Sequence, residues 1–371
     1  MNITFILKGG IQILPPMLPR IVQFAEKKHN VNFICTTIVD EHRSVLEKMG
    51  VKCFETKHKN TVLKKHSKIR DWMGFRKNVW QIVEKEGLGE GILYVCSADT
   101  ALALGKKLKK YRYALQSNEL YDTNEFYRKN LKDYAVGAVA FVVPEYIRAN
   151  IFMYWYGLKK MPYVIPNSPY ISSDVTEGEI EDGIAKETLE KLKDKKIVLY
   201  QGVISAGDRS LGIVAEALKK KADGDYVLLL VGRNKNNSYE AIKDIFPETY
   251  YIPFITPPKH LQVTRRAYLG ILSYDRISLN NIFCAPNKIY EYSAFGIPML
   301  GNNIPGLRDS IVVNGMGQCA DFEEVDNVVD AINSIESNHE AFSVASKKFY
   351  ETSNHREVNE KLMIYLEELC N

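Results

Sequence analysis

The sequence predicts an α/β protein built as two doubly wound parallel-sheet domains. Three observations predict it: the length, a repeated alternation of strand and helix patterns, and an interruption of that alternation near the middle. At 371 residues the chain exceeds what one hydrophobic core usually organises. Hydrophobic residues make up 46% and charged residues 25%, the balance of a globular protein rather than a disordered one. Short apolar runs followed by longer amphipathic stretches imply parallel strands joined by crossover helices.

The first series places buried strands at 2–7, 31–36, 51–55, 92–96, 112–116, 137–143 and 163–165. Segments of helical period lie between them, at 17–28, 41–49, 64–86 and 98–110. The series ends near Ile165-Pro166-Asn167-Ser168-Pro169. From Ser172 to about Asp194 the composition turns acidic and strandless, which reads as a linker. A second series follows, with strands at 196–201, 226–231, 249–252, 269–272 and 297–300. Its helices fall near 209–222, 258–267, 287–295 and 323–336. A helix from about 338 to 370, broken near Ser353-Asn354, closes the chain. The expected domains are Rossmann-like. The first is 1–168, completed by a C-terminal helix of about 345–371 crossing back to it, and the second is 169–344. Two such sheets facing one another put the loops at their strand carboxyl ends into one cleft, where open α/β folds bind ligands. A two-lobed periplasmic-type binding protein shares the pattern, and the lack of an export signal in Met1–Gly10 counts against it.

Formal net charge is +4, so no global field argues for nucleic acid. The charge is uneven: 57–77 holds eight Lys or Arg against Asp71 alone, which makes that segment +7 and the rest −3. Leu63, Ile69, Trp72, Met73 and Phe75 interleave these cations. Such a stretch suits a peripheral contact with an anionic membrane or a lipid diphosphate, and a solvated basic helix is the alternative. The six cysteines are scattered, and Cys35 and Cys96 lie in apolar runs as core residues. With no run of about 18 apolar residues, a cytoplasmic protein is expected. No carboxylate cluster for a metal is read, so neither metal nor cofactor is expected.

The most informative stretch is Ala285-Pro286-Asn287-Lys288-Ile289-Tyr290-Glu291-Tyr292-Ser293-Ala294-Phe295-Gly296-Ile297-Pro298-Met299-Leu300. It reads as a loop, a short helix opening near Asn287, a glycine that ends it, and a buried strand. A helix amino end with a lysine beside it attracts anions, because free N–H groups and the cation face the ligand. Glu291 falls three residues beyond Lys288, on the same face, where a carboxylate can accept hydrogen bonds from paired hydroxyls such as those of a ribose. A solvated Lys–Glu pair on a surface helix has the same spacing.

This segment resembles the family-four glycosyltransferases and their GT-B relatives, which carry P-x-K-x-x-E-x-x-A-x-G-x-P; Lys288, Glu291, Ala294, Gly296 and Pro298 match. The resemblance implies that Glu291 binds the donor ribose. Many members have a second acid eight residues earlier, where this chain has Phe283. Asn280, Asn281 or backbone N–H groups of the loop 278–284 are the substitute contacts. Val198–Val203 followed by Asp208-Arg209-Ser210-Leu211 resembles the opening of the family's donor domain, with Gly202 allowing close approach and Arg209 gripping phosphate. Lys288 then supplies the second phosphate contact, and Arg233 after Val231-Gly232 is a further candidate. Backbone groups of Phe254 and Ile255 correspond to those facing the nucleobase.

In the first half, Lys8-Gly9-Gly10 resembles the family's glycine loop, with Gly9 and Gly10 facing the donor phosphates. Gln116-Ser117-Asn118-Glu119-Leu120-Tyr121 resembles its H-E-L-Y cleft loop, with Asn118 in place of His. This implies an acceptor side made by Asn118, Glu119 and Tyr121, with Glu119 positioning or deprotonating the acceptor hydroxyl. A loop-stabilising carboxylate is the bland alternative. Val143-Pro144-Glu145 and Val164-Ile165-Pro166-Asn167 match a helix start and the interdomain exit. The implied function is retaining transfer of a sugar from a nucleotide diphosphate sugar to a hydroxyl of a glycan or lipid-linked glycan, in cell-surface polysaccharide synthesis. Glu119, Arg209 and Lys288 are the implied catalytic groups. A non-catalytic scaffold binding nucleotide or glycan is the alternative.

Overall fold

The computed structural model describes residues 1–56, 67–205, 210–221, 225–353 and 355–370. They divide into two compact units, Met1–Tyr170 with Asn354–Asn371, and Ile171–Ser353. Unit 1 holds β1 (Asn2–Leu7), β2 (Asn30–Cys35), β3 (Lys52–Glu55), β4 (Ile92–Val95), β5 (Tyr113–Gln116), β6 (Ala140–Val143) and β7 (Tyr163–Val164). Their order across the sheet is β3-β2-β1-β4-β5-β6-β7, and every pair is parallel. Unit 2 holds β8 (Lys196–Ile204), β9 (Tyr226–Asn234), β10 (Thr249–Pro253), β11 (Leu269–Leu272), β12 (Met299–Asn302) and β13 (Gly317–Ala320). Their order is β10-β9-β8-β11-β12-β13, again parallel throughout.

Helices on both faces explain why these strands are apolar runs rather than alternating patterns. In β1, Ile3, Phe5 and Leu7 enter one core while Ile6 enters the other. In β9, Leu228 and Leu230 point to one side, and Val227, Leu229 and Val231 to the opposite one. Each sheet therefore buries both faces with side chains of period two. Strand order reverses between β1 and β4 in unit 1 and between β8 and β11 in unit 2. Loops leaving the carboxyl ends at such reversals diverge and leave room for a ligand.

Several expectations change. The stretch 172–194 is no linker but an ordered part of unit 2. Asp182 accepts from the Ala185 amide at 2.9 Å to start the helix Gly183–Lys191, whose Ala185 and Leu189 are buried in that unit's core. Arg265 clasps the preceding turn through the carbonyls of Val175, Thr176 and Gly178. The helix expected over 98–110 is cut at Gly105, which has φ 71 and ends the α-helix Ala98–Leu104. Residues 137–139 are not strand, because the helix Glu125–Gly137 runs into them.

β13 lacks the apolar run that marks the others, so the sequence pattern passes over it. The helix His339–Thr352 stays on unit 2, where Phe349 lies 5.7 Å from the Tyr290 ring and Ser346 Oγ donates to Ile297 O at 3.0 Å. The return to unit 1 thus starts beyond Ser353 rather than near 345, and the first unit reaches Tyr170 rather than 168. Leu362, Met363 and Leu366 of the last helix, His355–Glu368, fill a core of unit 1.

Candidate functional site

In unit 2 the site grows from the carboxyl ends of β8, β9 and β11. Gly202 and Gly232 are register partners with φ 141 and 138, a backbone region that side chains with a Cβ rarely adopt. A Cβ on Gly232 would occupy the place of the Gly202 carbonyl, so the two strands approach as only glycines allow. Lys288 comes from the short helix Asn287–Ser293 and lies across Gly202. Its ammonium stands 5.5 Å from the Tyr200 ring centroid and 5.7 Å from that of Tyr274. Pro286 precedes that helix and supplies no side-chain cap.

Glu291 lies one turn on and is 6% exposed. Gln201 donates its amide to Oε2, and His260 Nε2 lies 3.4 Å from Oε1. Burial alone would push this carboxyl up. The charges of His260 and Lys288, together with hydrogen bonds from His260 and Gln201, more than offset it and hold the carboxyl below its ordinary range. Unit 2 therefore keeps a buried anion at the end of β8. A solvated Lys–Glu surface pair does not describe it.

The other predicted donor-side residues sit as follows. Arg233 is exposed and rests over the Phe254 ring, 5.1 Å from its centroid. Phe254 is 44% exposed and Ile255 is buried in the core. Asn281 gives its side-chain amide to Asp275 at 2.8 Å, and Asp275 also accepts from the Ile277 amide, so this acid braces the loop that leads to Phe283. Arg209 lies outside the described residues. Asp223-Gly224-Asp225 has the spacing of a metal-carboxylate motif, which corrects the expectation that none is present. Asp223 and Gly224 are outside the described residues, and Asp225 precedes β9 at the opposite end of the strands.

In unit 1 the Gly9 amide already donates to Thr36 Oγ1 at 3.0 Å, and the Gly10 carbonyl accepts from Ile13. Lys8 bridges two acids, Asp71 at 2.6 Å and Asp99 at 3.4 Å. Asn118 accepts from Gln116 Nε2 at 2.7 Å, and its carbonyl accepts from the buried Arg148. Arg20, also buried, donates to Gln116 Oε1 and to Tyr94 at 3.0 Å, so guanidinium groups from two helices fix the loop after β5. Glu119 remains half exposed, 3.9 Å from Arg148. Tyr121 has φ 59 and stacks on Tyr127 at 4.7 Å. Glu145 caps its helix through the amides of Ile147 and Arg148, at 2.7 and 2.9 Å. Sequence reasoning missed Gln201, His260, Thr264, Arg20 and Arg148 as site residues, since each acts through a partner distant in sequence, and it missed Asp275, whose partners Asn281 and Ile277 lie within six residues but in a loop without a periodic signal.

No protein-family model and no curated protein matches the chain. Solved structures do. A glycosyltransferase from Rickettsia africae aligns over 100% of this chain and 99% of its own, with a TM-score of 0.68 at 14% identity. HepE from Anabaena, in complex with UDP and glucose, aligns over 99% of each chain with a TM-score of 0.70 at 11% identity. The fold is GT-B. A Listeria monocytogenes protein assigned as a UDP-N-acetylglucosamine 2-epimerase also has this fold, covering 93% of this chain and 91% of its own, with a TM-score of 0.66 at 13% identity. The GT-B fold therefore serves more than one chemistry, and the choice between them rests on the side chains.

Proposed function

We propose that this GT-B chain is a glycosyltransferase that moves a sugar from a nucleotide diphosphate sugar to a hydroxyl of a glycan or lipid-linked glycan. The observation that carries the reading is the buried, anionic Glu291 beside Lys288 at the end of β8, where a GT-B donor would place its ribose and diphosphate. Lys288, together with Arg209, would oppose the charge that builds on the leaving diphosphate, the point where fixed cations accelerate such a reaction most. HepE, with UDP and glucose bound, supports a nucleotide-sugar donor for a chain of this fold. Retention of configuration, membership of family four and a role in cell-surface polysaccharide synthesis rest on the motif resemblance.

The exposed Ile69 and Met73, one helical turn apart beside Lys68 and Arg70, support peripheral contact with an anionic membrane. Residues 57–66 of the basic stretch lie outside the described residues. Phe283 in place of the second acid favours one other reading, a non-catalytic nucleotide-binding scaffold. Incubating the chain with UDP-, GDP- and ADP-sugars and a glycan acceptor tests the choice. A transferase releases nucleotide in step with acceptor consumption. A scaffold binds nucleotide and releases none from any donor.

A further inference from the structure

Glu291 does not stand alone in unit 2. Its two oxygens are held from two separate elements: Gln201 of β8 reaches Oε2, and His260, just ahead of the helix Leu261–Thr264, reaches Oε1. The orientation of each partner is itself determined. Thr264 Oγ1 donates to Gln201 Oε1 at 2.7 Å, which turns the amide nitrogen of Gln201 toward the carboxylate. In His260, Nδ1 is sealed from solvent with no partner among the described residues, while Nε2 faces the carboxylate. A bare Nε2 would set lone pair against lone pair, so Nε2 carries a proton whether the ring is neutral or charged.

A carboxylate offers about four lone-pair positions, and these two donors take one on each oxygen. One position per oxygen is left. That remainder matches a vicinal diol, which presents two O–H donors side by side. We infer that His260 and Gln201 are positioning residues of the donor site, which hold Glu291 so that its two remaining lone pairs receive the ribose hydroxyls of a nucleoside diphosphate. Preference for ribonucleotides over deoxyribonucleotides then depends on His260, a residue that never touches the sugar. The inference rests on the donor-site reading of Glu291, and the experiment separates the two.

Affinities of the full chain for UDP, GDP and ADP are measured by calorimetry, each beside its 2′-deoxy counterpart. For the nucleotide that binds, loss of one hydroxyl donating to a charged acceptor weakens wild-type binding about ten- to a hundredfold. In Glu291→Gln the ribo/deoxy ratio falls toward one. In His260→Phe it falls below about threefold, because the carboxylate is free to turn. In His260→Gln, whose amide reaches about as far, the ratio recovers. A merely structural role for His260 lowers both affinities together and leaves their ratio intact. If His260→Phe fails to fold, His260→Asn, too short to reach Glu291, carries the same expectation. A folded His260→Phe or His260→Asn protein with the wild-type ratio overturns the inference and leaves the donor site standing. Failure of all three nucleotides to bind, or a ratio unmoved in Glu291→Gln, removes the donor-site reading itself.

Discussion

The ammonium of Lys288 lies 3.4 Å from the point where a β-carbon on Gly202 would stand. The cation and the glycine thus lie side by side at the end of β8: a methyl added there would meet the lysine at van der Waals contact, and the strain of adding it lies in the backbone, at φ 141. This proximity links a backbone requirement of the fold to the proposed phosphate contact.

Gly202→Ala is expected to weaken nucleoside diphosphate binding and to lower stability by about 1–3 kcal/mol, the usual cost of a strained backbone position. Gly232→Ala should cost more, on the order of 3 kcal/mol or above, since its new methyl meets the Gly202 carbonyl rather than a movable side chain. Denaturant unfolding of both variants checks the ranking. Equal stability losses would show that the β8–β9 approach is not constrained as described.

Glu119→Ala is expected to lower turnover while leaving nucleotide affinity nearly intact, because Glu119 belongs to unit 1 and stands half exposed beside Arg148. Turnover and calorimetric affinity on the same preparation decide it. A loss in affinity as large as the loss in turnover would contradict an acceptor-side role.

Glu336 gives a pH prediction independent of function. Hydrogen bonds from Lys196 and then Lys221 bring its carboxyl down from 4.5 to about 2. A folded-state value below the unfolded one contributes stability that is fully present above pH 4.5 and lost as pH falls toward 2. Because the group is partly exposed, the contribution is on the order of 1 kcal/mol once screening by solvent is included. Glu336→Gln should remove that contribution at neutral pH, about 1 kcal/mol, and little near pH 2, so that its stability is flatter across the window. A wild-type pH slope in the variant would show that the lysines do not act on it.

Most of the fold was legible in the residues because strands covered on both faces leave unbroken apolar runs. Ile3–Leu7 and Tyr226–Val231 declare themselves in this way. β13 does not, since Gly317-Gln318-Cys319-Ala320 pairs at the edge of the sheet and needs no such run. The acidic 172–194 stretch looked like a linker because what orders it, chiefly Arg265 and the Asp182 cap, comes from single polar side chains that composition does not register.

The site was legible only in part. Lys288 and Glu291 share one helix, so their spacing brings them together in any reading. Gln201 and His260 reach Glu291 from positions 90 and 31 residues away along the chain, Thr264 acts on Gln201 from 63 residues away, and no local period connects them. The burial of Glu291 was equally hidden, because a glutamate in a helix looks the same in sequence whether it faces water or the interior.

Calorimetric titration of UDP, GDP and ADP against the wild type and Glu291→Ala decides whether Glu291 serves a nucleotide. At least one of the three is expected to bind the wild type, and the substitution to weaken it by roughly 1–3 kcal/mol through the lost charged hydrogen bonds. Wild-type affinity in a folded Glu291→Ala protein would contradict that role.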